Sequence, residues 1–493
     1  MKTAAEVFQA AASGSLRAGH LIPNHADGGA RMENRTPIDN SLIGYVADGD
    51  EADAEAAVSA ARASFESGEW SQLPPSEHRR VLLAWTRLVE EHAEELAALD
   101  CIDAGKPIGE CRHTDLPATL EAFYFYAEYA DKSFGKTAPA GGGDLGLVVY
   151  EPVGVVAVVL PWNFPAQMFA WKVLPALAAG NSVIVKPSEL TSLSAYRMVR
   201  LAHEAGVPEG ALTLVCGTGE KVGRALGLHH DVDMAAFTGS TEVGRYFLEY
   251  SAQSNLKEIV LECGGKSPQI VFADADLDQA VPSVLAAAFW NMGENCSCGS
   301  RLIVDERIKD ELLARLSDGL KDWKPGDPRD ESVRIGPLVE QAHFDKVVRY
   351  LETAVREGGR IAAGGGVRSD LGSGWYVEPT VVDGVRADMT VFREEIFGPV
   401  LAVTTFGSEE EAVALANDSD YGLAASFYTS DLHRAHRVAR KIRAGTVSVN
   451  GFSEGSIATP FGGYKQSGFG GRDKGVEAFY QYTQAKTIWF VGR

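Results

Sequence analysis

The sequence is poor in cysteine, short of positive charge and without a long apolar run, and each scarcity closes off a class of protein. Its six cysteines, Cys101, Cys111, Cys216, Cys263, Cys296 and Cys298, are spread over 493 residues and form no CxxC pair. That argues against a disulfide framework or a structural zinc, points to no metal site, and fits a reducing compartment. Lysine and arginine number 46 against 67 acidic residues, a net charge of -21. Such a surface opposes nucleic acid or an anionic membrane as partner. The longest apolar stretch, residues 153–160, is too short to span a bilayer. Residues 1–20 lack the basic start and apolar stretch of a secretory leader. The expectation is a cytoplasmic protein, too long for one hydrophobic core and built of two or three domains.

What is present alternates. Apolar residues recur every three or four positions over 51–67 and 78–99, which predicts helices, with Asp50 and Ser76 as N-caps. Glycines 141–143 precede β-branched runs at 147–149 and 153–160, read as strands, the second buried on both faces. Then come helix 166–179, strand 182–186, helix 192–205, strand 212–216, helix 220–228 and strand 234–237. A second alternating region spans 269–450, with strands at 270–272, 301–304 and 400–405 and helices at 277–291, 309–320 and 340–357. This rhythm predicts two tandem α/β domains with parallel sheets. The late strand 487–491 fits neither sheet and is expected to pair with another subunit.

Three residues suggest chemistry. Cys296 lies in Gly293-Glu294-Asn295-Cys296-Ser297-Cys298-Gly299-Ser300, a small and polar loop after a helical stretch. A lone cysteine is usually a buried filler, but these neighbours favour a thiol at a cleft, able to attack a carbonyl once deprotonated. Glu262, between the apolar Val260-Leu261 and Gly264-Gly265, is either a solvated carboxylate or a partly desolvated base. Asn163, in Leu160-Pro161-Trp162-Asn163-Phe164-Pro165, is either a turn-closing residue or a fixed N–H donor for an oxyanion. For a dinucleotide, Gly217-Thr218-Gly219-Glu220-Lys221-Val222-Gly223 is GxGxxxG rather than GxGxxG and is weak evidence. The stretch Phe237-Thr238-Gly239-Ser240-Thr241-Glu242-Val243-Gly244 follows a strand and opens a helix. It is either a diphosphate site or an ordinary capped helix start.

Read together, PWNFP, the KPSE at 186–189, FTGSTEVG, LECGGKSP, GENCSCGSR, the EEIFGPV at 394–400 and the PFGGYKQSG at 460–468 occur in that order. This set resembles the aldehyde dehydrogenase superfamily over nearly the whole chain. The resemblance implies two Rossmann-like α/β domains and a small β bridging element, divided as 1–134 with 153–264 for NAD, 265–464 for catalysis, and 135–152 with 478–493 for oligomerisation. It implies a homodimer or homotetramer. Cys296 would attack an aldehyde, Asn163 and the Cys296 N–H would hold the oxyanion, and Glu262 would activate water to hydrolyse the thioester. Lys186 and Glu189 would hold the adenosine ribose, Ser240 the diphosphate and Glu395 the nicotinamide ribose, with Phe397 against the nicotinamide. Trp162, Ser188, Gly219, Gly223, Phe237 and Gly239 complete the implied cofactor set. A carboxylate at Glu189 would repel a 2′-phosphate, so NAD is expected over NADP. Lys172 matches a family lysine near the site, its role less defined.

Trp70, Gly105-Lys106-Pro107-Ile108 and Lys486-Thr487-Ile488-Trp489 look closest to bacterial enzymes acting on γ-glutamyl-aminobutyraldehyde and related ω-aminoaldehydes. Substrate-side candidates are Asp115, Met168, Trp171, Trp290 and Phe461, with Phe123 and Tyr126 as either pocket or packing aromatics. Asp115 with aromatic neighbours could read a cationic amine; hydrophobic or aromatic aldehydes are the alternative. Release to CoA is disfavoured because such relatives lack the hydrolytic glutamate, and a non-catalytic relative would be expected to lose Cys296, Glu262 or Asn163. The chain departs from the family in having Glu294 where Gln is frequent, Cys263 after the base, Gly470-Gly471 for a single glycine, and Cys298 two residues after the nucleophile. Cys298 is either a small filler or a protective disulfide partner of Cys296.

Overall fold

The computed structural model describes residues 2–26 and 28–492. Two parallel sheets dominate it. In the first, the strands run in the order Leu212–Leu214, Ser182–Lys186, Val155–Val159, Met234–Gly239, Glu258–Cys263, all parallel, and the short Gly468–Phe469 closes the far edge antiparallel. Strands Val155–Val159 and Ser182–Lys186 are buried at every position, because helices cover both faces; hence their unbroken Val/Ile runs. The second sheet runs Arg360–Ala363, Thr380–Asp383, Val400–Phe406, Arg301–Asp305, Pro268–Val271, Ala424–Tyr428, Thr446–Val449, parallel except for the first. Among the described residues no helix is long and apolar enough to cross a membrane.

In the first sheet the connections reverse between Val155–Val159 and Met234–Gly239. Chains leaving the carboxyl ends of these neighbours diverge and leave a crevice, where ligands bind in open α/β sheets. Residues 160–165 leave one strand there and 239–241 leave the other.

Several elements differ from the sequence expectation. The stretch 78–99 is two helices, Pro75–Glu91 and Ala93–Ala104. Proline opens the first, so Ser76 lies inside its first turn and caps nothing. His92 makes the joint, its Nδ1 2.6 Å from Glu95 Oε2. Asp50 does cap its helix, accepting the N–H groups of Ala52 and Asp53. The run 153–160 breaks at Gly154, whose φ of +132° and position against the Asp233 carboxylate admit no side chain. Leu145–Pro152 thereby enters a separate antiparallel sheet with Lys136–Ala138 and the terminal strand Thr483–Phe490. The late strand therefore finds its partner within this chain, in an eight-pair register from Thr483↔Pro152 to Phe490↔Leu145, and not first in another subunit.

Asn181 ties this small sheet to the first one. Its Oδ1 accepts the Gly154 N–H at 3.0 Å, and its Nδ2 donates to Ala176 O and Tyr482 O at 2.9 and 3.0 Å, all fully buried. Replacing it by alanine strands several buried polar groups at once. Asn181→Ala is expected to cost about 2–3 kcal/mol, read as a lower thermal unfolding midpoint and faster heat inactivation at unchanged initial activity.

Candidate active site

The nucleophile loop is built by a tight reversal. Helix Leu277–Phe289 ends, and Asn291, Met292 and Gly293 follow with φ of 52°, 57° and 70°. Three consecutive left-handed residues are costly for non-glycine side chains, and they throw the chain back over the sheet. At Gly293 a Cβ would stand 2.3 Å from Gly398 O, so only glycine fits. Asn295 then closes the loop, its Oδ1 accepting the Ser297 N–H at 3.0 Å and its O accepting the Cys298 N–H at 3.0 Å. Gly265 has the opposing role: a Cβ there would lie 2.4 Å from Cys296 O. The glycine pair lets the nucleophile loop lie directly on the end of the Glu262 strand.

A cavity of about 220 Å³ results, and Cys296, Glu262 and Asn163 all line it. Burial, then the Glu262, Glu454 and Glu395 carboxylates, push the Cys296 thiol well above its ordinary value. Burial likewise pushes Glu262 well above the carboxylate range; Asp473 adds to this, and Lys172 opposes it. Its Oε1 has no protein partner. Lys172 and Asp473 form a buried ion pair of 2.9 Å beside it. Asn163 is held firmly: Nδ2 donates to Glu294 O at 3.0 Å, which leaves one N–H for the cavity.

Trp162, Met168, Gly239, Ser240, Glu395 and Phe397 line the same cavity. Ser240 also caps helix Thr241–Gln253 by accepting the Val243 N–H at 3.2 Å, so the capped helix start is present and faces the cavity. Phe397 has a left-handed φ of 60° and meets the Trp162 ring edge-on at 5.3 Å. Glu395 accepts the Gly265 N–H at 2.9 Å, at a spot where a Cβ on Gly264 would overlap its carboxylate. Lys186 pairs with Glu189 at 2.9 Å beyond the cavity, at the end of the next strand. Gly219 and Gly223 lie in the turn after Leu212–Leu214, each facing open space where a Cβ would point.

Two more cofactor candidates also lie outside the cavity wall. Phe237 is 5% exposed and packs on Phe247 at 4.9 Å, beneath the cavity rather than in its wall; its ring is what forbids a Cβ at Gly239. Ser188 is spent on its own turn, its Oγ accepting the Leu190 N–H and its O accepting Ser192 Oγ. Asp115, expected to read an amine, is fully buried and ion-paired with Lys106 at 2.8 Å. Phe123 packs edge-on against Trp85 and Tyr126 donates to Gly475 O, so both are core residues. Phe461 is buried against Trp171 at 5.5 Å.

A second cavity, of about 180 Å³, has Trp171, Trp290 and Phe452 in its walls, with Glu121, Glu454 and Lys474. Ser297 Oγ donates to Glu454 Oε1 at 2.5 Å, linking this cavity to the residue after the nucleophile. Sequence reasoning missed these three charged residues, and Thr238, His343 and Lys346 in the first cavity. The one available signal for Glu454 was an acid just ahead of the PFGG run. Glu294 is buried, accepts the Val339 N–H at 3.1 Å and is pushed well up by desolvation. The Cys298 thiol donates to Ala288 O at 3.4 Å, and none of the six cysteines, all among the described residues, is in a disulfide.

The Aldehyde dehydrogenase family profile matches residues 24–488. The chain belongs to that family. An aminoacetaldehyde dehydrogenase of Pseudomonas aeruginosa is 52% identical over 94% of this chain and 93% of its own length. A solved γ-glutamyl-γ-aminobutyraldehyde dehydrogenase of Burkholderia cenocepacia is 48% identical with a TM-score of 0.95, covering 99% of each chain. An indole-3-acetaldehyde dehydrogenase solved with NAD+ is 44% identical with a TM-score of 0.96, over 99% of this chain and all of that one. The protein is an NAD(P)-dependent aldehyde dehydrogenase, and the cavity suits that cofactor: Thr238 Oγ1 is buried without a protein partner, and glycine and an N-cap serine meet at the helix start.

In this dehydrogenase burial and three nearby carboxylates disfavour the Cys296 thiolate. Ionisation requires rising pH, so the rate at which iodoacetamide alkylates Cys296 in the cofactor-free enzyme is expected to climb through pH 9 with no plateau. A plateau near pH 7, with the alkylated residue identified by mass spectrometry, would contradict the desolvated thiol.

Proposed function

We propose that this aldehyde dehydrogenase oxidises ω-aminoaldehydes to the amino acids with NAD, by way of a thioester on Cys296. The observation that carries the chemistry is that a partnerless Glu262 oxygen shares one cavity with Cys296 and Asn163. Once the Cys296 thiol proton has passed to solvent water, Sγ bonds to the aldehyde carbon, and the carbonyl π pair becomes an oxyanion held by the free Asn163 N–H and the Cys296 N–H. One such donor is worth about 3 kcal/mol of barrier. NAD, when bound, supplies the acceptor for the hydrogen that this electron-rich carbon releases with its electron pair. Trp162 and Phe397 in the cavity wall would pack against it, and Glu395 would hold a ribose hydroxyl. Glu262 then takes a proton from water as the water oxygen bonds to the thioester carbon. The C–S bond breaks, and the acid leaves with Cys296 restored. Lys172 offsets the desolvation of Glu262, as the direction of its effect indicates.

The substrate reading rests on the second cavity and on the names of the relatives above. Glu121 and Glu454 supply carboxylates and Trp290 and Phe452 ring faces that suit an ammonium, while Lys474 already lies over the Trp171 ring at 5.0 Å. Asp115, ion-paired within the core, is not part of this recognition. Free cysteines fit a cytoplasmic setting. The terminal strand exposes Ile488, Trp489, Phe490 and Val491, a surface we assign to contact between subunits.

Glu262→Gln is expected to give a stoichiometric burst of NADH followed by turnover lowered about 10²–10⁴-fold, with thioester trapped on Cys296; loss of the burst itself would contradict its role in hydrolysis. Across an aldehyde panel, kcat/KM is expected to be highest for an ω-aminoaldehyde. Glu121→Gln and Glu454→Gln should reduce that preference over the uncharged isostere, and NAD should be used better than NADP. A preference for aromatic or uncharged aldehydes would overturn the substrate assignment.

A further inference from the structure

The cluster behind Asn163 is not explained by the chemistry so far. Lys106 follows Gly105, a left-handed residue (φ +74°) that ends helix Ala93–Ala104. Its side chain is 1% exposed, and its ammonium makes three contacts. It donates to the main-chain carbonyl of Asn163 at 2.8 Å, pairs with Asp115 at 2.8 Å, and lies 3.7 Å from the centre of the Phe164 ring. Asp115 ends a π-helical turn, Cys111–Asp115, a distortion that often accompanies functional sites. A second donor reaches the same carbonyl: Asn291 Nδ2, at 3.1 Å, which also donates to Glu294 O at 3.0 Å. Glu294 O is the acceptor that orients the Asn163 amide.

A buried ion pair is a poor device for stability. Its desolvation cost offsets most of its attraction, and apolar residues of like volume often do as well. What this pair does supply is a point charge with fixed direction, pinned to the peptide between two bracing prolines, Pro161 and Pro165. The Lys106 contact fixes the carbonyl of Asn163 and one face of Phe164, whose ring leans on Trp290 at 5.1 Å. The backbone from which the Asn163 side chain projects is thereby held, while Glu294 O holds its amide.

We propose that Lys106, held in place by Asp115, is a positioning residue for the oxyanion hole: it locks the Trp162–Phe164 turn so that the remaining Asn163 N–H meets the substrate oxygen. The inference rests on the reading of Asn163 as oxyanion donor. Lys106 itself touches no reacting atom. A shift of an ångström in such a donor forfeits much of its benefit.

The test is a double-mutant cycle on the full enzyme. The variants are Asn163→Ala, Lys106→Met, Lys106→Met with Asp115→Leu, and each lysine variant combined with Asn163→Ala. The paired Met/Leu change removes both charges together and keeps the measurement available if Lys106→Met alone, which leaves a buried acid without its partner, does not fold. Each variant is first checked for NAD binding and for stoichiometric alkylation of Cys296. The readout is the single-turnover rate of NADH formation. The Met/Leu variant is expected to lose 10- to 100-fold in that rate, with NAD affinity and alkylation within twofold of the parent. Added to Asn163→Ala, the same change should cost less than twofold more. A rate within twofold of the parent, or losses that multiply in full, would overturn the role of Lys106. An Asn163→Ala variant with undiminished rate would instead overturn the reading of Asn163, and is distinguishable because it needs no lysine variant.

Discussion

Everything at this site depends on one close approach, that of the Cys296 carbonyl to the backbone at Gly265. The two parallel sheets meet where residues 264–267 pass from the Glu262 strand into the second sheet, and the nucleophile loop lies against that passage. A single methyl at Gly265 would fall 2.4 Å from that carbonyl. Gly293 repeats the constraint from the other side, against Gly398 O. Between these clamps the loop has no slack, and the left-handed Asn291 and Met292 pass the reversal on to the nucleophile. The strain at 291–293 is therefore bound up with the position of one sulfur atom.

The second governing condition is burial. Desolvation is the first cause of the raised values at Cys296, Glu262 and Glu294 alike. In a wet cleft the thiol would ionise more easily, and so would react more readily with adventitious electrophiles and oxidants. Buried cations offset the buried acids in pairs, Lys172 with Asp473 and Lys106 with Asp115. Each pair has one member close to a residue of the proposed reaction.

Sequence legibility followed the range of the interaction. Cys296, Glu262 and Asn163 could be picked out because short-range features mark them: small loop residues, a glycine pair, bracing prolines. The alternation of strands and helices was legible for the same reason, since burial on two faces writes itself into unbroken apolar runs. Asp115 was misread because its partner, Lys106, is brought to it by a turn whose π-helical form leaves no periodic signature. Phe237 looked like part of a cofactor loop, but its fate is decided by Phe247 on the next helix. The break at Gly154 is set by Asp233, and that at His92 by Glu95 and Arg197. Glu121, Glu454 and Lys474 gave little warning, because they converge from a helix, a loop and a second helix start only once the chain is folded.

The strand Leu145–Pro152 is synthesised well before Thr483–Phe490, the neighbour along its whole length. During translation it must wait, with one edge open, while the entire second sheet emerges from the ribosome. Asn181 waits too, since Tyr482, which accepts one of its N–H groups, lies 301 positions later. The first sheet is also incomplete until Gly468–Phe469 arrives at its edge. Nascent chains of this enzyme thus carry an unpaired strand for most of their synthesis, the kind of edge that invites mispairing with a neighbouring chain. A truncation that removes only the last ten or so residues would leave every residue of the proposed chemistry in the polypeptide, yet deny that strand its partner.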